Sequence, residues 1–284
     1  MRPENIITVD WEDWFHICEV DHLLPRQKWD SYPSILPEAT TILLDFFKTH
    51  NITATFFILG YCANRYPELV QKISQAGHEL AYHSHDHALV YDQTKDDFFA
   101  DINQGKEGLE SLCQQPVHGF RAPQWSLNDR CPWGLEQLVR AGYTYDSSHT
   151  PLIIIGNPSY PETVHKLDTI AGSLLEYPPM VLTLLGLKVP AGGGWGLKTW
   201  PMANIRRKMN SLNKSQSPAT FFIHPADLVP FNPPVRLPLL KRTVTQFGLR
   251  TTLSALKTLR KDTKLVSIRN FQNNNSQGEQ RHDV

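Results

Sequence analysis

The chain has 284 residues, with 28 Lys+Arg balanced by 28 Asp+Glu for a formal net charge of zero. That length is ample for a buried core, and α/β barrels reach about 250 residues as one unit. Basic residues gather only in short clusters such as Arg206, Arg207 and Lys208, which excludes nucleic acid as the main partner, since duplex binding needs a basic excess or stripe.

Residues 5–10, NIITVD, are apolar and β-branched and predict a buried strand. In PEATTILLDFFKTHN (37–51), Ala39, Ile42, Leu43 and Phe46 recur at helical spacing, with Pro37 suited to a first turn. TATFFILG (53–60) predicts a second buried strand and YPELVQKISQAG (66–77) a helix stopped by Gly77. HELAYH (78–83) predicts a third strand, followed by a helix around 94–114 and a fourth strand in HGFRAPQW (118–125). A helix at 131–141 leads into a fifth strand in AGYTYDSS (141–148), and SLLEYPP (173–179) predicts a sixth. Ile205, Met209 and Leu212 mark a late helix before the strand in ATFFIHPAD (219–227). Repeated βα units of this length imply a parallel sheet with helices outside it.

Residues 150–200, rich in Pro and Gly and ending in PAGGGWG, read as an elaborated loop. The expected organisation is one catalytic domain over 1–265 and a polar, disordered tail over 266–284. Cys18, Cys62, Cys113 and Cys131 are widely spaced and read as reduced thiols. The N-terminal stretch carries no signal pattern, and every apolar run is shorter than the ~20 residues a spanning helix needs. The expectation is a soluble cytoplasmic protein without a transmembrane segment.

Ligands of parallel βα folds sit at the carboxyl ends of the strands. The polar residues expected there are Asp10, Glu12 and Asp13, then His83 and His87, then Arg121 and Trp125, then Asp146, and finally His224. Two imidazoles four residues apart plus a carboxylate make a three-ligand set for a catalytic ion. Such donors suit Zn, Co, Ni or Fe better than Ca or Mg. Arg121, inside an apolar strand, needs a carboxylate partner, and Asp10 is the candidate. Asp146 either orients a metal-bound histidine or caps the next segment. Trp11, Trp14, Trp125 and Trp195 offer faces on which a sugar can stack, and the GGGWG loop offers close backbone approach to a ligand or a turn.

GHELAYHSHDH (77–87), TVDWED (8–13), FRAPQW (120–125) and FFIHP (221–225) together resemble the motifs of the polysaccharide deacetylase family, carbohydrate esterase family 4. TVDWEDWFH, YDSS, GGGWG and FFIHPAD are most similar to its branch associated with bacterial exopolysaccharide and O-antigen synthesis. The resemblance implies a distorted (β/α)7-type barrel and removal of N-acetyl groups from amino sugars of a polysaccharide or its precursor. It implies Asp10 as general base oriented by Arg121, His224 as general acid, and His83 and His87 as ligands of one divalent ion, zinc first among the candidates. Because Trp11 separates Asp10 from the next carboxylates, the third ligand is Glu12 or Asp13. Trp125 and Trp195 are the expected substrate-binding residues. A sugar deformylase, an O-acetyl esterase and an inactive glycan-binding member are the alternative readings.

Overall fold

In a parallel sheet covered by helices both faces of each strand are buried, and β1 (Glu4–Trp11) is buried from its second residue onward. Ile7, Val9 and Trp11 face outward, into a cluster shared with Leu43 and Phe47 of α1 (Leu36–His50) and Val70 and Ile73 of α3 (Pro67–Gln75). Ile6 faces inward and meets Phe57, Ala81, Tyr145 and Tyr177. A computed structural model describes residues 2–17, 20, 22–238 and 251–279; Cys18 and residues 280–284 lie outside these.

β1 is flanked by β10 (Thr220–Ile223) and β2 (Thr55–Ile58), and the sheet continues through β3 (Glu79–Tyr82), β4 (Gly119–Phe120) and β5 (Tyr145–Asp146). It ends with β7 (Gly172–Glu176) and β6 (His165–Thr169), which pair antiparallel, whereas the other pairings of the sheet are parallel. Past Glu176 the chain reaches Pro179, which bridges Thr220 in the parallel sense, so the sheet curls until its two sides meet. This is the curled barrel of parallel strands with outer helices that the βα alternation implies. Val9 lies in register with Ile223, and Tyr82 with Phe120. One residue further along each strand, Asp10, His224, His83 and Arg121 therefore reach the same rim.

Three segments differ from expectation. The fourth strand stops at Phe120, because Pro123 has no N–H for a ladder and Gln124 and Trp125 take φ of 49° and 51°. The region 150–200 is not plain loop: it holds β6, a hairpin of β8 (Val181–Leu184) and β9 (Leu187–Pro190), and α6 (Gly194–Thr199). The hairpin turns on Leu185 and Gly186, with φ of 50° and 81°. Leu-Gly supplies the twist of a two-residue turn without the Asn-Gly signal that sequence reading looks for.

The third difference is the expected tail. Lys264–Val266 pairs with the start of β1, and Ile268–Glu279 is a helix. Two apolar residues suffice here because they close the barrel floor: Ile268 is fully buried beside Phe57, and Phe271 packs on the same cluster. Ser267 Oγ accepts from Asn270 N–H, an N-cap contact. The N–H groups of Ile268 and Arg269 reach Thr55 Oγ1 and Glu79 Oε2, both at 2.9 Å. A chain ending at Ser267 is expected to lose several kcal/mol, from about 1.5–3 kcal/mol for each apolar side chain no longer buried, while Glu79 keeps Thr55 and Tyr145 as donors. The urea midpoint measures this, and an unchanged midpoint would count against the floor-closing role.

Among the described residues no helix is long and apolar enough to cross a membrane.

Candidate active site

The inward alternation of β1 delivers Thr8 and Asp10 to the barrel interior, where Arg121 meets both. Arg121 Nη1 donates to Asp10 Oδ1 at 2.6 Å and to Thr8 Oγ1 at 2.8 Å. Its Nε donates to Ser147 O at 3.1 Å and its Nη2 to Ser147 Oγ at 2.7 Å. The guanidinium lies 4.2 Å from the centre of the Phe57 ring. Arg121 is 1% exposed and Asp10 4%, so this is a buried ion pair whose hydrogen-bonding capacity is largely met.

His83 and His87 lie beyond β3, where the chain is not helical. Ser84 and His87 adopt φ of 64° and 55°, each costing about 1–2 kcal/mol for a residue with a Cβ. That fold-back brings the two rings to 5.3 Å between centroids. His83 Nδ1 lies 2.6 Å from Arg121 O. A carbonyl only accepts, so Nδ1 carries the proton and the Nε2 lone pair is free. Nε2 of His83 and of His87 stand 3.9 and 2.7 Å from Glu12 Oε2. One donor atom each from Glu12, His83 and His87 falls within 4.8 Å of the others. The buried Glu12 Oε2 has no hydrogen bond of normal geometry despite its closeness to His87. A carboxylate oxygen and two imidazole nitrogens converging on one point fit a zinc-type ion. Burial opposes ionisation of Glu12, but His87, His224 and His83 outweigh it and bring its pKa to about 2. Burial also lowers His83 to about 4, which favours the neutral ligand form.

Of the two carboxylates left open by sequence, Glu12 stands with the histidines and Asp13 turns away. Asp13 Oδ1 accepts from the N–H groups of Trp14 and Ile35 at 3.0 and 3.2 Å. It fastens the loop after β1 to the start of α1, and burial raises its pKa.

His224 follows β10, with Nε2 3.7 Å from Asp10 Oδ2 and 3.9 Å from Glu12 Oε1. Its Nδ1 is 3.6 Å from Asp227 Oδ2, and its N–H donates to the same oxygen at 2.9 Å. Asp227 Oδ1 receives Lys198 Nζ at 2.6 Å, and the lysine side chain is fully buried. Burial opposes the imidazolium, but Asp227, Asp10 and Glu12 carry the His224 pKa up to about 9. Burial likewise opposes ionised Asp227, yet His224 and Lys198 bring it down to about 2. Sequence reading passed over Asp227 and Lys198. The only local signal is an aspartate three residues after the histidine.

The glycine run approaches the chain itself rather than a ligand. A Cβ on Gly194 would lie 2.0 Å from Asp227 Oδ2, and one on Gly193 2.3 Å from the Phe222 ring. Asp146 orients no histidine: it accepts from Ser148 Oγ at 2.6 Å and Ser148 N at 3.2 Å, which is the capping alternative. It faces Glu176 in strand register. Burial raises both carboxyls, and the neighbouring Asp146 pushes Glu176 further up.

Trp11 and Trp14 cannot form a sugar platform. Trp11 is fully buried and donates to Thr40 Oγ1, while Trp14 is buried and donates to Pro33 O. Trp125 is half-buried, edge-on to Phe222, and its buried indole N–H has no acceptor among the described residues. Trp195 packs edge-on against Trp200. His16, also unremarked in the sequence, accepts the Asp13 N–H through Nδ1 and lies 6.3 Å from the His87 ring. Burial brings it to about 3. Cys62, Cys113 and Cys131 are free thiols.

Residues 27–145 match the family model described as Polysaccharide deacetylase, and residues 147–273 match a Domain of unknown function (DUF3473). The chain is 32% identical over 101 residues to a peptidoglycan-N-acetylglucosamine deacetylase of Bacillus cereus, covering 35% of this chain and 37% of that protein. It is 32% identical over 98 residues to a chitooligosaccharide deacetylase of Azorhizobium caulinodans, covering 34% and 45%. The chain thus spans less than half the length of these curated relatives. A Mycobacterium smegmatis structure assigned to the polysaccharide deacetylases superposes with TM-score 0.62 at 18% identity, over 94% of this chain and 89% of that one. Peptidoglycan deacetylase PdaC of Bacillus subtilis superposes with TM-score 0.53 at 16% identity, over 99% and 95%. These two likenesses concern the fold. Residues 27–145 are thus similar to polysaccharide deacetylases. The segment that matches the deacetylase model runs directly into the one that matches DUF3473. Asp10 and Glu12 precede the first matched segment, His83, His87 and Arg121 lie in it, and His224 lies in the second.

Proposed function

We propose that the chain is a metal-dependent carbohydrate N-deacetylase acting on an N-acetylated amino sugar. The supporting observation is the convergence of Glu12, His83 and His87, with the His83 proton placed on Nδ1, beside the Asp10–Arg121 pair and His224. Glu12, His83 and His87 would hold the divalent ion, with zinc the first candidate. When bound, such an ion polarises the acyl oxygen and lowers the pKa of a water toward about 7.

The protein's own groups divide the proton work. Arg121 occupies Asp10 Oδ1, leaving Oδ2 to take the proton from the attacking water. Asp227 holds His224 in its protonated form, and Nε2 delivers that proton to the departing amine nitrogen. The C–N bond breaks, acetate leaves on the acyl side, and the amine leaves neutral. An amide nitrogen needs that proton far more than an ester oxygen does, so a strongly basic His224 favours N-deacetylation over the O-acetyl esterase reading. Trp125 Nε1 is a donor for a saccharide hydroxyl or acyl oxygen. A cytoplasmic precursor of an exopolysaccharide is the substrate setting this reading favours.

Acetate release from N-acetylglucosamine oligomers tests the proposal. His224→Ala is expected to slow turnover about 10²–10⁴-fold. Loss of the His224 proton gives the pH profile of kcat/KM its alkaline limb. Asp227→Asn removes a group that raises the His224 pKa, so that limb should move to lower pH. Wild-type turnover by His224→Ala would refute the acid role, and no acetate from any amide substrate would refute the activity.

A further inference from the structure

The mouth of the barrel carries bare aliphatic side chains. Leu185 is 96% exposed, Ile154 94%, Ile153 57%, Leu187 55% and Leu184 49%. They belong to the loop after β5 and to the β8–β9 hairpin. The loop leaves the carboxyl end of β5. The hairpin begins just past Pro179, which bridges Thr220 in the parallel sense, so its first strand runs the way β10 runs, toward His224. Lys188 Nζ donates to Pro158 O at 2.7 Å and ties the two segments together. Both therefore stand at the pole that holds the site. Residues 147–161 contain no Asp, Glu, Lys or Arg, and 177–197 contain only Lys188.

We infer that this apolar rim beds into a lipid bilayer at the boundary of headgroups and acyl chains, and that the acetamido sugar reaches the site on a lipid anchor. The second half of this inference rests on the deacetylase reading; the first does not. Three observations favour a bilayer over a protein partner. The exposed side chains are all Ile and Leu, whereas protein hot spots draw on Trp, Tyr and Arg and under-use Leu. The inner backbone groups of the hairpin pair across from Val181–Pro190 to Leu184–Leu187, so only its outer edges need headgroup or water partners, which the interfacial boundary supplies. The one acidic residue of the loop between β5 and β6, Glu162, is paired with Lys188 and Lys208, so neither segment offers an unpaired carboxylate to anionic headgroups. A protruding tip finds no complementary surface on a protein without a matching cavity, but hydrocarbon fits around it. A saccharide held at headgroup level then faces the barrel mouth.

The test uses the full chain and phosphatidylcholine vesicles, with partitioning read by co-flotation. Wild type is expected to bind. Burying one Leu or Ile side chain is worth about tenfold or more in partitioning, so Ile154→Asp combined with Leu185→Asp should lower it about 100-fold or more. The urea midpoint and acetate release from soluble N-acetylated oligosaccharide should stay unchanged. Wild type should also deacetylate a lipid-tethered N-acetylglucosamine in the same vesicles faster than the soluble sugar, and the double variant should lose that advantage.

No wild-type flotation, or equal flotation by the double variant, would overturn the bilayer contact. So would self-association of wild type that the double variant abolishes, without flotation, because the occupant would then be a second copy. Flotation with no advantage for the tethered sugar would overturn the lipid-anchored substrate. Flotation as expected, with no acetate from either sugar, would sink the deacetylase reading and leave the membrane surface standing.

Discussion

On the proposed metal-dependent mechanism, a His83→Ala protein is expected to fold, fail to hold a divalent ion and release acetate about 10³-fold or more slowly, since removing Lewis-acid stabilisation withdraws several kcal/mol from the transition state. The effect should be this large because His83 is held in a fixed tautomer and orientation. Its Nδ1–H is anchored on Arg121 O at 2.6 Å, which aims Nε2 toward Glu12 and fixes the tautomer. Metal stoichiometry after dialysis and steady-state turnover provide the readings. Glu12→Gln should behave the same way. Asp13→Ala should instead keep the ion and lose stability, because its oxygen accepts from the loop and helix N–H groups of Trp14 and Ile35. Stoichiometric metal and full turnover in His83→Ala would remove the metal centre from the mechanism. Loss of the ion in Asp13→Ala at an unchanged urea midpoint would transfer the ligand role to Asp13.

The second large effect falls on stability. Arg121→Met leaves Asp10 buried without its cation and Ser147 and Thr8 without a donor. Breaking a buried pair from one side typically costs about 3–5 kcal/mol, and with Arg121 only 1% exposed water cannot compensate. A fall in the urea midpoint of that size is expected, together with loss of activity. Adding Asp10→Asn removes the stranded charge, so the double variant should regain part of the stability and none of the activity. A double-mutant cycle isolates the coupling. Independent, additive losses would show that the pair does not act as a unit.

The elements with strong periodicity were legible from sequence: the buried strands of NIITVD, TATFFILG and ATFFIHPAD, and α1 and α3. Each reports burial through its own neighbours a few residues away. The β8–β9 hairpin was not legible, because its Leu-Gly turn lacks the usual chemistry. The closing helix was not legible either, because a polar stretch with two apolar residues looks disordered unless a barrel floor is waiting for them. The tryptophans misled for a related reason. Trp11 alternates outward from β1 and is buried under α1, which a position next to Asp10 cannot reveal.

What the sequence determined by itself is therefore local: strand and helix periods, the His83–His87 spacing, and the placement of Asp10, Arg121 and His224 at strand ends. Tertiary structure alone decided which side chains became partners. It placed Glu12 with the histidines and Asp13 on backbone N–H groups, gave His224 the Asp227–Lys198 pair, and turned the glycine run toward Asp227 and Phe222. The physical reason is range. Strand and helix patterns follow from repeating backbone geometry over a few residues. The partner of a buried charge depends on which groups arrive within about 4 Å from distant parts of the chain, and curling the sheet is what brings them together.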